Sequence, residues 1–306
     1  MTLTNRRTLD AALIFLLAWS ATAEARDIDV PIIWPKGSRW HIQVSNAAKK
    51  VKLRTAGRVD VNLINEPVLG DVPGVSLYSL PLVFKDEDQI AYVRERMDSK
   101  LIALLAKHGY ETIGIEGLGM AHIFSKQEAR APAAFLATRM WVPDEKGSTM
   151  AKRFGVKEVV PVPIMDVRKA LDKNQLDTVV TVPSSVVLAR WQEGVDFVAD
   201  WPLAYVYSPM VIKKTDFDAL MEKDQKILRE VLGEAFEEAG ASSRRMSKQA
   251  WGTIRKREKI EIMSQTAAEA EAWKTWAAKV RAQLISDGKI PADLAAELDQ
   301  HLKASE

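Results

Sequence analysis

The sequence predicts an α/β protein with two sheets and a mostly helical carboxyl-terminal part. Residues 27–34 and 59–63 have strand patterns and flank an amphipathic helix, which is the order that begins a parallel sheet. Strand and helix patterns alternate again over residues 139–212 and predict a second sheet. From Asp216 onward the apolar residues follow a helical period over most of the chain.

The amino terminus has the pattern of an export signal. Arg6 and Arg7 precede an apolar run, residues 11–19, which is too short to span a bilayer, and small residues follow it. We therefore expect residues 1–25 to be a signal peptide and the mature protein to be periplasmic; an amino-terminal membrane anchor is the alternative. The general secretory route is favoured because Asp10 interrupts the twin-arginine motif.

The composition narrows the class of partner. The 306 residues include no cysteine and carry a formal net charge of +2. Without cysteine there are no disulfides, thiolate–metal sites or lipoprotein anchors, so the fold depends on its apolar core. Such a small net charge gives no reason to expect nucleic acid or a membrane surface as the partner. The expected partner is a small molecule or another protein.

The regular order of the first sheet breaks down after Leu63. Residues 65–75 contain turn residues and no helical period, whereas a parallel crossover needs about 10–12 residues including its helix. The sequence therefore predicts no crossover helix at this point. A long helix is predicted to begin at Asp86, with Gln89 three residues later as in a capping box, and to end near Gly109.

The middle of the chain predicts two short strands separated by a bend. The strands are residues 112–115 and 123–124, and the bend is placed at Gly117 and Gly119. Beyond the second sheet, the predicted elements are a long helix at 219–246, a brief strand at 260–263, and helices at 267–286 and 292–303.

Residues 166–214 form the segment most typical of a ligand site. A strand at 178–181 ends in the turn Val182-Pro183-Ser184-Ser185, which opens a helix that runs to Trp191. Strand ends that lead into a polar helix N-terminus are where open α/β sheets hold small ligands. Ser184 is therefore a candidate ligand-binding residue, and the alternative is that it only caps the helix. Two further strands are predicted at 195–199 and 205–212.

The residues that would indicate catalysis or metal binding are missing or scattered. Ser184 and Ser185 lack the Gly-x-Ser-x-Gly elbow of serine hydrolases. The histidines have no metal-ligand spacing and fall on separate elements, at His41, His108, His122 and His301. The sequence therefore predicts no catalytic residue, no metal and no cofactor. An exported hydrolase that uses Ser184 or Ser185 is the alternative.

Several segments, in order along the chain, resemble the solute-binding subunit of tripartite ATP-independent periplasmic (TRAP) transporters. They include Trp34-Pro35-Lys36-Gly37-Ser38, Gly57-Arg58-Val59, Leu80-Pro81-Leu82-Val83-Phe84, Met140-Trp141-Val142-Pro143, Val160-Pro161-Val162-Pro163, Asp200-Trp201-Pro202-Leu203-Ala204-Tyr205 and Asp224-Gln225. The resemblance implies a fold similar to type II periplasmic binding proteins, with two α/β lobes joined by hinge strands and a long helix. It also implies a receptor that binds a small organic acid between the lobes and delivers it to membrane permease subunits.

The resemblance implies the domain organisation as well. The first lobe is expected at 26–123 plus 212–250, the second at 124–211, and carboxyl-terminal helices at 251–306 that pack on both. Members of the family have a helix and a central strand where this chain passes from Asp71 to Val72. Because central parallel strands are buried on both faces and paired at both edges, we expect an incomplete first lobe. A degenerate or sensory binding module without a transport role is therefore the second hypothesis.

The resemblance places three of the candidate ligand residues, Trp141, Ile164 and Thr181, and the strand patterns add Arg139 and Trp34. Most members have an arginine at the position of Trp141, so this chain replaces a charge with an apolar stacking surface. Arg139 shares that strand face and is the candidate for the missing charge, a solvated edge arginine being the alternative. Ile164 stands at the position where the family usually has an aromatic pocket residue, and Thr181 at the position of its usual polar residue. Trp34 is a candidate for the pocket wall, a core residue being the alternative. These residues favour a monocarboxylate with an apolar body.

Overall fold

The structure is a computed structural model that describes residues 25–32, 36, 38–64, 69 and 72–305. The predictions for residues 1–24 and for Trp34 lie outside the described residues. The strands are β1 (Arg26–Pro31), β2 (Val59–Ile64), β3 (Tyr110–Ser125), β4 (Arg139–Val142), β5 (Glu158–Pro161), β6 (Thr178–Thr181), β7 (Phe197–Ala199), β8 (Ala204–Lys213) and β9 (Glu261–Met263). The α-helices are α1 (Arg39–Arg54), α2 (Glu87–Lys107), α3 (Pro132–Leu136), α4 (Glu145–Arg153), α5 (Val167–Asp172), α6 (Pro183–Leu188), α7 (Lys214–Asp218), α8 (Glu222–Arg255), α9 (Ala267–Ser286) and α10 (Ala292–Ala304).

The first lobe contains a two-stranded parallel sheet, β1–β2, as the strand–helix–strand pattern predicts. Ser38 caps α1 by accepting a hydrogen bond from the backbone N–H of His41, at 3.2 Å. The apolar stripe of α1, which includes Val44 and Val51, is buried against Ile28 of β1 and against α8. Burial of this stripe is what holds the helix on the sheet.

Between β2 and α2, the described residues form turns and one short 3-10 helix, Leu77–Ser79. The predicted absence of a crossover helix is confirmed for the described part of this stretch. β8 packs beside β1, but no ladder of hydrogen bonds joins the two strands. The expectation that the first lobe is incomplete stays a prediction.

The edge of β1 that faces away from β2 carries Pro31. The N–H groups of Arg26 and Ile32 donate to the carbonyls of Arg58 and Ile64, at 2.9 and 2.8 Å. Because successive backbone groups of a strand point to opposite edges, the backbone nitrogen of Pro31 faces the other way. Proline has no N–H to leave unpaired there, which is typical of an edge strand.

β3 is one continuous strand of 16 residues, so the prediction of two strands separated by a bend was wrong. It pairs antiparallel with β8, and its register shifts between Thr112 and Gly114 and between Gly117 and Gly119. The glycines therefore mark bulges in a long strand, and Gly119 has φ of 126°. The end of β3 enters the second sheet, where it pairs with β6 and β7.

The second lobe is built on a sheet with the strand order β5-β4-β6-β3-β7-β9. All of these strands except β3 run in the same direction. Their carboxyl ends therefore meet at one edge, which we call the carboxyl edge. β3 crosses it on its way from the first lobe.

Two helices contact both lobes. α8 packs Leu228 and Phe236 into the core of the first lobe and Ile254 into that of the second. α9 places Trp273 against the second lobe and Leu284 against the cluster that contains α2 and α10. Among the described residues, none of the helices has the length and apolar composition needed to cross a membrane.

Candidate ligand site at the carboxyl edge of the second lobe

Four of the candidate residues lie at the carboxyl edge. Trp141 is next to the end of β4, Thr181 is the last residue of β6, and Ser184 lies in the first turn of α6. Ile164 begins the 3-10 helix that follows β5. The parallel strands bring these side chains to one edge because each strand ends there, and this edge faces the crossing into the first lobe.

Trp141 is fixed by its neighbours. Its indole Nε1 donates a hydrogen bond to the carbonyl of Val162, at 2.8 Å. Its ring meets the ring of Trp191 edge to face, with centroids 5.2 Å apart. Trp141 and Ile164 are both half-buried and pack against the same apolar cluster. The N–H of Trp141 is engaged, so the part of the ring that remains accessible is apolar.

Arg139 lies at the opposite edge of the sheet, because it begins β4 whereas Trp141 is near its end. Its Nε and Nη2 donate to the two carboxylate oxygens of Asp177, at 2.9 and 2.6 Å, and its Nη1 donates to the carbonyl of Asn174 at 2.6 Å. This pairing holds the pKa of Asp177 below its usual range. The geometry contradicts the expectation that Arg139 supplies a charge to the ligand, since its three donor groups are engaged by protein acceptors.

Ser184 is 1% exposed, and its hydroxyl is 3.0 Å from the hydroxyl of Ser247 in α8. No side-chain cap is observed at the start of α6, so the capping role is not supported. Thr181 is half-buried, and among the described residues its hydroxyl has no hydrogen-bond partner. Of these two candidate residues, Ser184 therefore has an engaged hydroxyl and Thr181 has one that no described residue engages. Sequence reasoning missed Ser247, because a serine within a long helix carries no local signal.

His122 is the neighbour of Thr181 across the β3–β6 ladder. Its Nδ1 donates to the carbonyl of Ala199 at 3.0 Å, and its ring meets Trp251 edge to face at 4.7 Å. Burial of the ring lowers the pKa of His122 to about 4, so the imidazole is neutral at physiological pH. His122 is therefore an uncharged, buried side chain at the position opposite Thr181 in the ladder.

The described residues contain no cluster of three or more acidic, histidine or cysteine side chains that could hold a metal ion. The partner of Ser184 is another serine, so the pair lacks the base that a serine nucleophile requires. The site offers an aromatic surface, apolar side chains and hydroxyl groups. Its chemistry is that of binding.

Two α/β lobes joined by paired strands and long helices, with candidate ligand residues at the carboxyl edge of the second lobe, are typical of solute-binding proteins. The chain belongs to the bacterial extracellular solute-binding proteins of family 7, whose pattern matches residues 55–287. It is a solute receptor and not an enzyme. No curated protein sequence matches the chain.

Solved structures of such receptors are similar to this chain in fold. An extracytoplasmic solute receptor of Bordetella pertussis that binds pyroglutamic acid is 16% identical, with a TM-score of 0.73 over 91% of this chain and 100% of that one. A TRAP periplasmic solute-binding protein from Desulfovibrio salexigens with bound orotic acid is 17% identical, with a TM-score of 0.70 over 92% and 98%. One from Chromohalobacter salexigens with bound D-glucuronate is 15% identical, with a TM-score of 0.72 over 92% and 100%.

Proposed function

We propose that the chain is a periplasmic receptor that binds a small organic acid between its two lobes and delivers it to a TRAP transporter. The observation that carries this proposal is the position of Trp141, Thr181 and Ser184 at the carboxyl edge of a solute-binding fold. The ligands of similar receptors, which include pyroglutamic acid, orotic acid and D-glucuronate, support an organic acid as the ligand class.

The first lobe is expected at residues 26–123 plus 212–250, and the second at 124–211, with 251–306 packed on both. β3 and β8 are the hinge strands of this division, and closure of the lobes on a ligand is the expected motion. Trp34 follows β1 in the chain and remains a candidate for the wall of the site. Residues 1–25 direct the chain to the periplasm as a cleaved signal peptide.

A binding module without a transport role is the second candidate. The observation that favours it is the stretch between β2 and α2, where the described residues form turns in place of a crossover unit. A sensory or degenerate module would bind its ligand without supporting uptake. Co-expression with TRAP permease subunits in vesicles separates the two functions, because only a transport receptor makes accumulation of the labelled acid depend on this chain.

The mature chain, residues 26–306, tests the proposal directly. We expect isothermal calorimetry with a panel of organic acids to show at least one with a Kd in the micromolar range or tighter, together with a rise in Tm. Thr181→Val is isosteric and removes only the free hydroxyl. We expect it to weaken binding of that acid by about tenfold. Thr149→Val, on the exposed surface of α4, is the matched control. Failure of every acid to bind would refute the proposal.

A further inference from the structure

The loops at the carboxyl edge carry carboxylates. Asp144 follows β4, Asp166 follows β5 and Asp200 follows β7. Within the described residues 143–144, 162–166, 182–185 and 200–203, which follow these strands and β6, there is no lysine or arginine. A ligand carboxylate placed against these loops therefore meets no opposite charge from them.

Arg139 and Arg244 both make contacts within the protein. Arg139 is paired with Asp177 at the opposite edge of the sheet. Arg244 lies in α8, three residues before Ser247, and its Nη1 donates to Glu116 at 3.2 Å and to the carbonyl of Gly117 at 3.0 Å. The guanidinium of Arg139 is therefore not free to take over the bidentate pairing that an arginine at position 141 would provide, whereas Arg244 is engaged through Nη1 alone.

The side chains that stand in place of the charge are apolar. The indole N–H of Trp141 is bound to Val162, so its ring offers only carbon to a ligand. Ile164 is half-buried and packs against the same apolar cluster as Trp141, and Met165 is 80% exposed. A single exposed apolar side chain is ordinary on a protein surface, but Met165 directly follows Ile164 at the edge where an open sheet holds ligands.

The geometry points to recognition of the ligand body without a charge pair from the second lobe. Trp141, Ile164 and Met165 form an apolar wall that selects a compact carboxylic acid with a planar or branched apolar body. Acids with many hydroxyl groups are disfavoured, because hydroxyls against this wall lose their hydrogen bonds to water and the three side chains of the wall offer no strong hydrogen-bond partner in exchange. This inference rests on the proposed function and names the ligand class of the same site.

The test compares two classes of acid on the mature chain by calorimetry. The apolar acids are benzoate, cyclohexanecarboxylate and 4-methyl-2-oxopentanoate, and the polyhydroxylated acids are D-glucuronate, D-galacturonate and L-gulonate. We expect the best apolar acid to bind at least about tenfold more tightly than the best polyhydroxylated acid. We also expect its Kd to depend less on NaCl between roughly 20 and 500 mM than the Kd of Trp141→Arg, since salt screens the charge pair that this variant adds.

Variants assign the effect to the wall. Met165→Gln should weaken binding of the apolar acids by about fivefold, whereas Met165→Leu should bind them as the wild-type chain does. Leu188→Gln is the matched control, because Leu188 is 54% exposed at the far end of α6. Trp141→Arg should reverse the preference between the two classes of acid and make binding depend on salt. The Tm of this variant shows whether it folds. The Met165 variants test the wall without any change at Trp141.

The outcomes separate the two proposals. Tighter binding of a polyhydroxylated acid by the wild-type chain, or equal losses in Met165→Gln and Leu188→Gln, would overturn the apolar wall and leave the receptor function standing. Failure of all six acids to bind and of any other organic acid to raise the Tm would overturn the proposed function itself.

Discussion

Arg58 and Asp224 form a bidentate ion pair between two segments that are far apart in the sequence. The Nε and Nη2 of Arg58 donate to the two carboxylate oxygens of Asp224, at 2.9 and 2.7 Å. The side chain of Asp224 is 1% exposed, and the pairing holds its pKa below the usual range. The pair joins the residue before β2 to the first turn of α8, and so ties the long helix to the first lobe.

Arg58→Ala should therefore destabilise the protein. It leaves the carboxylate of Asp224 buried without its partner, and we expect a loss of about 3 kcal/mol in the free energy of unfolding. Arg54→Ala is the matched control, because Arg54 pairs with Glu230 at an exposed site and should cost less than about 1 kcal/mol. Urea denaturation of both variants gives the comparison. Equal losses of unfolding free energy in the two variants would show that the Arg58 pair contributes no more stability than the exposed Arg54 pair.

Arg139→Ala distinguishes a structural arginine from a ligand-binding one. Because the guanidinium holds Asp177, whose side chain is 5% exposed, its loss should lower the free energy of unfolding by about 2–3 kcal/mol. The Kd for the bound acid should change by less than about twofold, since no ligand charge pair is lost. Calorimetry at a temperature where the variant is fully folded measures this. Binding that is tenfold weaker in the variant would show that Arg139 takes part in ligand binding.

His122 should make stability depend on pH. Its pKa is about 4 in the folded protein and about 6.5 in the unfolded chain, so between these values the unfolded chain binds more protons. This contribution to the free energy of unfolding is present above pH 6.5 and is lost as the pH falls toward 4. About 2 kcal/mol of it is lost between pH 7 and pH 5. His122→Asn should remove this part of the slope. An unchanged pH profile in the variant would contradict the low pKa.

Gly117 is required by the packing of Tyr205 against the hinge strand. A Cβ at position 117 would lie 1.7 Å from the hydroxyl oxygen of Tyr205, so Gly117→Ala should cost about 2–3 kcal/mol of unfolding free energy. Tyr205→Leu in the same chain should recover part of that loss. Gly252→Ala in α8 meets open space and should stabilise the protein by about 1 kcal/mol. Similar effects at both glycines would contradict the steric argument.

Short-range signals predicted many elements well. The strand at 178–181 and the helix at 267–286 have the predicted bounds in the structure, and the helix begins with a capping box between Thr266 and Glu269. At α2, Asp86 accepts the N–H of Gln89 as predicted. The Gln89 side chain, however, accepts from Lys85, one residue before the position that a capping box requires.

The errors arose where distant residues decide the outcome. Gly117 and Gly119 have the local pattern of a bend, but their pairing with β8 makes them bulges in one strand. Arg139 shares a strand face with Trp141, and that alternation says nothing about Asp177, which lies 38 residues further along the chain. His122 and Ser247 joined the site only through contacts with other elements.

The sequence by itself determined the local elements, the order of segments that resembles one family of receptors, and the replacement of a charge by Trp141. These depend on residue type and on short-range periodicity. The tertiary structure decided that the indole N–H of Trp141 binds Val162, that Arg139 is engaged by Asp177, and that β3 runs unbroken between the lobes. Each of these depends on which distant backbone and charged groups the folded chain brings together, and no local pattern specifies them.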